Sequence, residues 1–124
     1  MNEVKHIGLQ VSSTDVARFY TDVLGATIGD SFVLSSADAL LIFGIEKQIL
    51  AYWCHVYGFT LELFLVDEEI QANCHHICFL TAHAEEIVNR AKHNGYPIYI
   101  RKKHETDTYF IKDTLGNLFE IKSA

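Results

Sequence analysis

Apolar positions along this chain alternate, spread to helical spacing, and then do the same again. His6-Ile7-Gly8-Leu9-Gln10-Val11 places Ile7, Leu9 and Val11 on one side of an extended segment and His6, Gly8 and Gln10 on the other. Ser12-Ser13-Thr14-Asp15, a cluster of helix-capping residue types, comes next. Val16, Phe19, Tyr20, Val23 and Leu24 then fall at helical spacing until Gly25 stops the helix. About half a chain later, His76-Ile77-Cys78-Phe79-Leu80-Thr81 predicts a second strand, with Thr81 as a capping residue. Residues 83–94 predict a helix that presents Ile87, Val88 and Ala91 and closes at Asn94-Gly95. Three strand-like segments follow each helix, roughly 26–34, 38–43 and 57–66 in the first half and roughly 97–103, 106–112 and 117–122 in the second. Residues 45–57, rich in Tyr and Trp, receive no assignment of their own.

Each half therefore reads as strand, helix, three strands. A four-stranded sheet with one helix leaves its other face open, and two such sheets side by side can curl around a shared cleft. The expected fold is α+β, two βαβββ repeats forming a curved mixed sheet around a cleft, in one domain with halves of about 1–70 and 71–124. With 124 residues, 49% of them hydrophobic and 21% charged, the chain can bury a core unaided. A formal net charge of −6 argues against a nucleic-acid partner, since Arg101-Lys102-Lys103 is the longest basic run. Met1-Asn2-Glu3-Val4-Lys5-His6 lacks a secretory layout, and no apolar stretch nears the roughly 20 residues that span a bilayer. Three cysteines, Cys54, Cys74 and Cys78, do not form a disulfide framework, so a cytoplasmic location is expected.

Strand alternation also separates out candidate chemistry. On Thr60–Leu65 the leucines share one face, and Thr60, Glu62 and Phe64 the other; on the last strand Phe119 and Ile121 oppose Leu118 and Glu120. Four strands thus have an apolar back and, opposite it, one side chain able to bind metal: His6, Glu62, His76 and Glu120. Carboxylates flanked by Leu61 and Leu63, or by Phe119 and Ile121, are costly to bury without a partner, and a divalent cation would serve both. Two imidazoles and two carboxylates suit Zn²⁺, Ni²⁺, Co²⁺, Fe²⁺ or Mn²⁺ better than Ca²⁺. Singly, each of the four is an ordinary strand residue; the repeat is what joins them. His75 competes with His76, but the parallel between His6-Ile7 and His76-Ile77 favours His76. Cys74 and Cys78 lack the spacing of zinc knuckles and read as core or cleft-lining thiols. His55, His83, His93 and His104 have no repeat partner and read as surface or loop residues, while Tyr52, Trp53 and Tyr57 read as packing or a dimer contact, with a pocket lining as the alternative.

The pattern resembles the vicinal oxygen chelate superfamily, which includes glyoxalase I, fosfomycin-resistance enzymes, extradiol dioxygenases and bleomycin-resistance proteins. The residues that carry the resemblance are His6-Ile-Gly-Leu-Gln-Val, Phe19-Tyr20-Thr-Asp-Val-Leu24-Gly25, Leu61-Glu62-Leu63-Phe64, His76-Ile-Cys-Phe and Asp113-Thr-Leu-Gly116-Asn117-Leu-Phe-Glu120-Ile, across essentially the whole chain. It implies metal ligands at His6, Glu62, His76 and Glu120, with Glu62 matching the four-ligand set of glyoxalase I. It further implies a lyase or isomerase acting on a small oxygen-chelating substrate through an enediolate, with Glu120 as the base that moves the proton and Glu62 as its counterpart. Gln10 stands where many bacterial glyoxalases carry Arg, and residues 45–57 have no match to their glutathione contacts, so the resemblance does not extend to glutathione as co-substrate. A homodimer is expected, with the ligands drawn from one chain or from two. The alternative reading is a metal-free module of the same fold that binds or sequesters a drug-like ligand.

Overall fold

The alternating segments form eight strands in two separate four-stranded sheets. The computed structural model describes residues 3–71, 74–102, 105 and 107–124. In the first half β1 (Ile7–Val11), β2 (Thr27–Leu34), β3 (Ile49–Val56) and β4 (Phe59–Leu65) are ordered β1-β4-β3-β2. In the second half β5 (Ile77–Thr81), β6 (Ile98–Arg101), β7 (Thr108–Lys112) and β8 (Leu118–Ser123) are ordered β5-β8-β7-β6. The first strand of each half pairs in parallel with the last, and the remaining ladders are antiparallel. The expected α+β architecture of two related halves is the observed one. His104 and Lys103 lie outside the described residues, and no helix among those described is long and apolar enough to cross a membrane.

Two expectations in the first half are corrected. Residues 38–43 are not a strand but the body of a helix, α1 (Ser36–Phe43). Ala39-Leu40-Leu41-Ile42-Phe43 is too short an apolar run for its period to distinguish strand from helix, and the ends decide. Ser35 caps the helix, its hydroxyl accepting from the Asp38 N–H at 3.1 Å, and Gly44 ends it in the left-handed region at φ 72°. The missing third strand is β3, inside the unassigned Tyr/Trp stretch. It alternates by face: Cys54 and Val56 join the core, while Trp53, opposite Glu62 in the β4 ladder, shares the other side. Burial pushes the Cys54 thiol up to about 12, so it packs as a neutral group.

Only Ala39 of α1 is fully buried, whereas Leu41 is 83% exposed, so tertiary contact anchors this helix weakly and its cap matters more. Ser35→Ala is expected to cost about 1 kcal/mol of local helix stability. The check is amide hydrogen exchange, which should speed up across 36–43 and remain unchanged in β3 and β4.

The first predicted helix is a π-helical turn, Val16–Thr21, in which Asp22 and Leu24 N–H donate to Ala17 and Phe19 carbonyls. Asp15 stands at its N-cap without capping it. Its carboxylate accepts from the Tyr96 hydroxyl at 2.6 Å and from the Thr114 N–H and hydroxyl at 2.6 and 2.8 Å, tying the two halves together. Thr81 plays a milder local role, its hydroxyl accepting from His83 N–H ahead of α2 (Ala84–His93). Phe19, Tyr20, Leu24, Ile87 and Ala91 from the helical segments join Val11, Leu61, Leu63, Ile111, Phe119 and Ile121 from the strand backs in one core spanning both halves.

A second buried cross-link is Asp113. One carboxylate oxygen accepts from the N–H groups of Leu115, Gly116 and Asn117; the other accepts from the Tyr20 hydroxyl at 2.8 Å and the Asn117 amide at 2.7 Å. Burial raises its carboxyl above the usual range, and these donors pull it back. The Asn117 amide also reaches the Gln10 carbonyl of β1 at 2.7 Å.

Candidate metal centre

In each half the parallel ladder sets one histidine beside one glutamate. Gly8 faces Glu62 across β1 and β4, and Cys78 faces Glu120 across β5 and β8, so the two repeats share one register. The histidines lie two residues earlier on the same faces. His6 Nε2 is 3.5 Å from Glu62 Oε1, and His76 Nε2 is 3.2 Å from Glu120 Oε1. Both carboxylates are well shielded, at 15% and 14% side-chain exposure, while the imidazoles remain near 40% exposed (37% and 40%).

The four residues form two pairs. Among the described residues no three His, Cys, Asp or Glu side chains gather in a single metal-holding group. No strand ladder joins the two sheets, so the register that aligns each histidine with its glutamate does not align one pair with the other.

Each pair has an aromatic companion on the neighbouring antiparallel strand. Trp53 is the β3 partner of Glu62, and its ring meets His6 edge-on at 5.1 Å. Phe110 is the β7 partner of Glu120, and its ring lies 6.4 Å from His76. Phe110 follows from carrying the internal repeat through its third strand, but that step needs β3 placed correctly. Lys122, two residues beyond Glu120 on the same face, approaches its second carboxylate oxygen at 3.4 Å, and alternation alone would have flagged it.

Hydrogen bonding at His76 bears on what the pair can hold. Nδ1 lies 3.2 Å from the Cys74 carbonyl, which can only accept, so Nδ1 carries the proton. With Nδ1 engaged by that carbonyl, Nε2 is the ring nitrogen turned toward Glu120 Oε1. A ring held by a carbonyl at one nitrogen, with the other turned toward a carboxylate, presents the arrangement of a metal-ligating histidine. The donor set fits a divalent transition metal.

A cavity adjoins each pair. One of about 630 Å³ is lined by His75, His76, Ile70 and Asn117 among others; one of about 480 Å³ is lined by Glu62, Phe43, Ile45, Phe64 and Val66, and the two share Gly8, Leu9 and Gln10. His75 thus faces the cavity beside His76 without replacing it at Glu120. His55, expected at the surface, bonds to Thr60 at an exposed position of the β3–β4 ladder, and His83 sits beside Glu86 at the start of α2.

Two βαβββ-type halves, each with a histidine and a glutamate in equivalent positions, define the class of two-repeat α+β proteins to which the sequence pattern pointed. The chain belongs to the Glyoxalase/Bleomycin resistance protein/Dioxygenase superfamily, whose sequence profile matches residues 3–121. Among solved structures it is similar to the genomically encoded fosfomycin resistance protein FosX from Listeria monocytogenes (TM-score 0.75, 17% identity, covering 100% of this chain and 94% of that one). It is also similar to FosX from Mesorhizobium loti (TM-score 0.69, 13% identity, 98% and 91% covered) and to a glyoxalase family protein from Enterococcus faecalis (TM-score 0.70, 18% identity, 97% and 96% covered). A mutant of the Listeria protein is complexed with Mn(II) and 1S,2S-dihydroxypropylphosphonic acid (TM-score 0.75, 17% identity, 98% and 92% covered). No curated protein sequence matches significantly. At these identities the structural likeness carries the fold and not the reaction.

Proposed function

We propose that this protein is a metal-dependent lyase or isomerase of the glyoxalase I type, acting on a small substrate that chelates the ion through neighbouring oxygens. His6, Glu62, His76 and Glu120 are its proposed ligands, and a homodimer its working form, in which the His6–Glu62 pair of one copy meets the His76–Glu120 pair of the other. The observation that carries this reading is the repeated pair itself: two shielded carboxylates, each 3.2–3.5 Å from an imidazole nitrogen, in matching positions of two halves. The Mn(II) in the Listeria FosX complex supports divalent metal chemistry on this fold, without naming the metal used here.

When bound, the ion would polarise a substrate carbonyl and favour loss of the adjacent C–H proton. Glu120 is the proposed base. Its Oε1 faces His76 and its Oε2 faces Lys122, so the ammonium would steady the carboxylate as it takes and returns the proton. Glu62 would serve as the opposite carboxylate, with Trp53 keeping water from His6. Gln10, whose amide donates to the Glu68 carbonyl at 2.7 Å, is neutral, and among the described residues no cationic side chain lines the cavity beside Glu62 to clamp the carboxylates of glutathione.

Elemental analysis of purified protein tests the reading, with activity screened on hemithioacetals, epimerisable thioesters and fosfomycin-like epoxides before and after chelation. About one equivalent of metal per site is expected, with EDTA-sensitive turnover restored by Ni²⁺, Co²⁺ or Zn²⁺. Turnover of the epoxide alone would move the assignment toward the fosfomycin-resistance branch. No metal after reconstitution would redirect it to the metal-free binding module.

A further inference from the structure

We infer that the non-chelating part of the substrate is an uncharged apolar group of about the size of an aromatic ring, seated between α1 and β4 beside Glu62. This rests on the metal-site reading for the position of the substrate's oxygens, but the pocket is argued from its own walls.

The side of the first sheet that carries Glu62 is not a polar surface. Ala39, Ile49, Ala51, Phe64 and Val66 form a second buried apolar cluster there, separate from the main core, with Phe32 and Ile45 packed against it. From α1 to the proposed ligand runs an unbroken series of rings: Phe43 to Phe64 at 5.0 Å, Phe64 to Phe32 at 6.3 Å, Phe32 to Trp53 at 5.7 Å, and Trp53 to His6 at 5.1 Å. The adjoining cavity, about 480 Å³, lies within the usual size range of small-molecule sites. Gly8 lines it: a Cβ there would stand 3.1 Å from the Phe64 ring, so a larger residue would have to push that ring aside.

Charge selects the occupant. Glu62 is the one charged side chain in the lining, so an anionic group would meet a carboxylate among phenylalanines, and a cationic one would compete with the metal for it. Lys47, two residues past Ile45 and outside the lining, gives its ammonium to the Val66 carbonyl at 2.7 Å. On the other half, Lys122 approaches Glu120 and Lys112 lies over the Tyr99 ring. The second half has no helix between β6 and β7 comparable to α1 among the described residues, so the apolar roof belongs to the first half.

Calorimetric titration of Ni²⁺-loaded and EDTA-treated protein with three hydroxyketones tests this: 2-hydroxyacetophenone (phenyl), hydroxyacetone (methyl) and dihydroxyacetone phosphate (anionic). In loaded protein the phenyl compound should bind at least about tenfold more tightly than the methyl one, and the phosphate no more tightly than the methyl one. Phe43→Ala, at a half-exposed position that the fold tolerates, should reduce the phenyl advantage by about fivefold and leave hydroxyacetone unchanged, with Phe43→Leu in between. Metal-dependent binding with equal phenyl and methyl affinities, or tighter binding of the phosphate, would overturn the inference while leaving the metal reading intact. In EDTA-treated protein, acetophenone binding more tightly than acetone, with the same sensitivity to Phe43→Ala, would support the pocket even if no metal is ever bound.

Discussion

Replacing His76 with alanine is expected to lower affinity for divalent metal by on the order of 100-fold or more and to abolish turnover with it. Changes to residues that merely orient a ligand already cost about 10–100-fold, and this one removes a donor. The substitution should leave the fold in place, because the imidazole is 40% exposed and its hydrogen bond goes to the nearby Cys74 carbonyl and not to the core. Its consequence for charge is specific. Glu120 loses the ring facing Oε1 and keeps Lys122 at Oε2, so the carboxylate remains partnered and the half-site does not collapse. Elemental analysis and calorimetric metal titration check this, with circular dichroism confirming a folded variant. His75→Ala is the control, and it should bind metal like the parent. Comparable losses in both would move the proposed ligand from His76 to the histidine pair as a whole, and no loss in His76→Ala would remove His76 from the site.

Asp113→Ala should be strongly destabilising. It removes the acceptor shared by the Leu115, Gly116 and Asn117 N–H groups, the buried Tyr20 hydroxyl and the Asn117 amide. Of these, Gly116 N–H keeps the Asp113 carbonyl at 3.3 Å and the Asn117 amide keeps the Gln10 carbonyl. Leaving buried donors unpaired costs about 1–3 kcal/mol each, and relaxation and water entry recover part of it, so a net loss of about 3–5 kcal/mol is expected. For a domain of this size that corresponds to a fall in Tm on the order of 10–20 °C. Tyr20→Phe breaks one of these bonds and should cost only about 1 kcal/mol. Thermal unfolding of the two variants, measured together, separates the turn from the tie. Equal, small losses would mean that water replaces the carboxylate at little cost and that Asp113 does not hold the halves.

How legible the site was can be seen residue by residue. His6, Glu62, His76 and Glu120 were chosen by alternation and repeat; Glu62 and Glu120 hold equivalent places in the β1–β4 and β5–β8 ladders, and His6 and His76 each stand one residue before the first strand of their half. Their pairing as His6–Glu62 and His76–Glu120 needed the parallel β1–β4 and β5–β8 ladders, which join segments far apart in sequence. Trp53 was read as packing because β3 had no assignment, and Phe110 was missed for the same reason. The run Ala39–Phe43 was taken for a strand because five apolar residues carry no usable period; the cap at Ser35 and the glycine at 44 held the deciding information.

Local chemistry, then, determined a good deal by itself: the two related halves, the strand faces, the second helix, the α+β class and the four residues with metal-binding chemistry. These depend on side-chain periodicity and on capping, which act over a few residues and are written directly in the order of the chain. Tertiary structure alone decided the rest. It turned Asp15 from a helix cap into a tie to Tyr96 and Thr114, made Asp113 the hub of the final turn, split four candidate ligands into two pairs, and roofed the Glu62 face with an apolar helix. Asp15 shows the reason: its carboxylate stands where it could cap the neighbouring helix, and the distant Tyr96 and Thr114 donors take it instead.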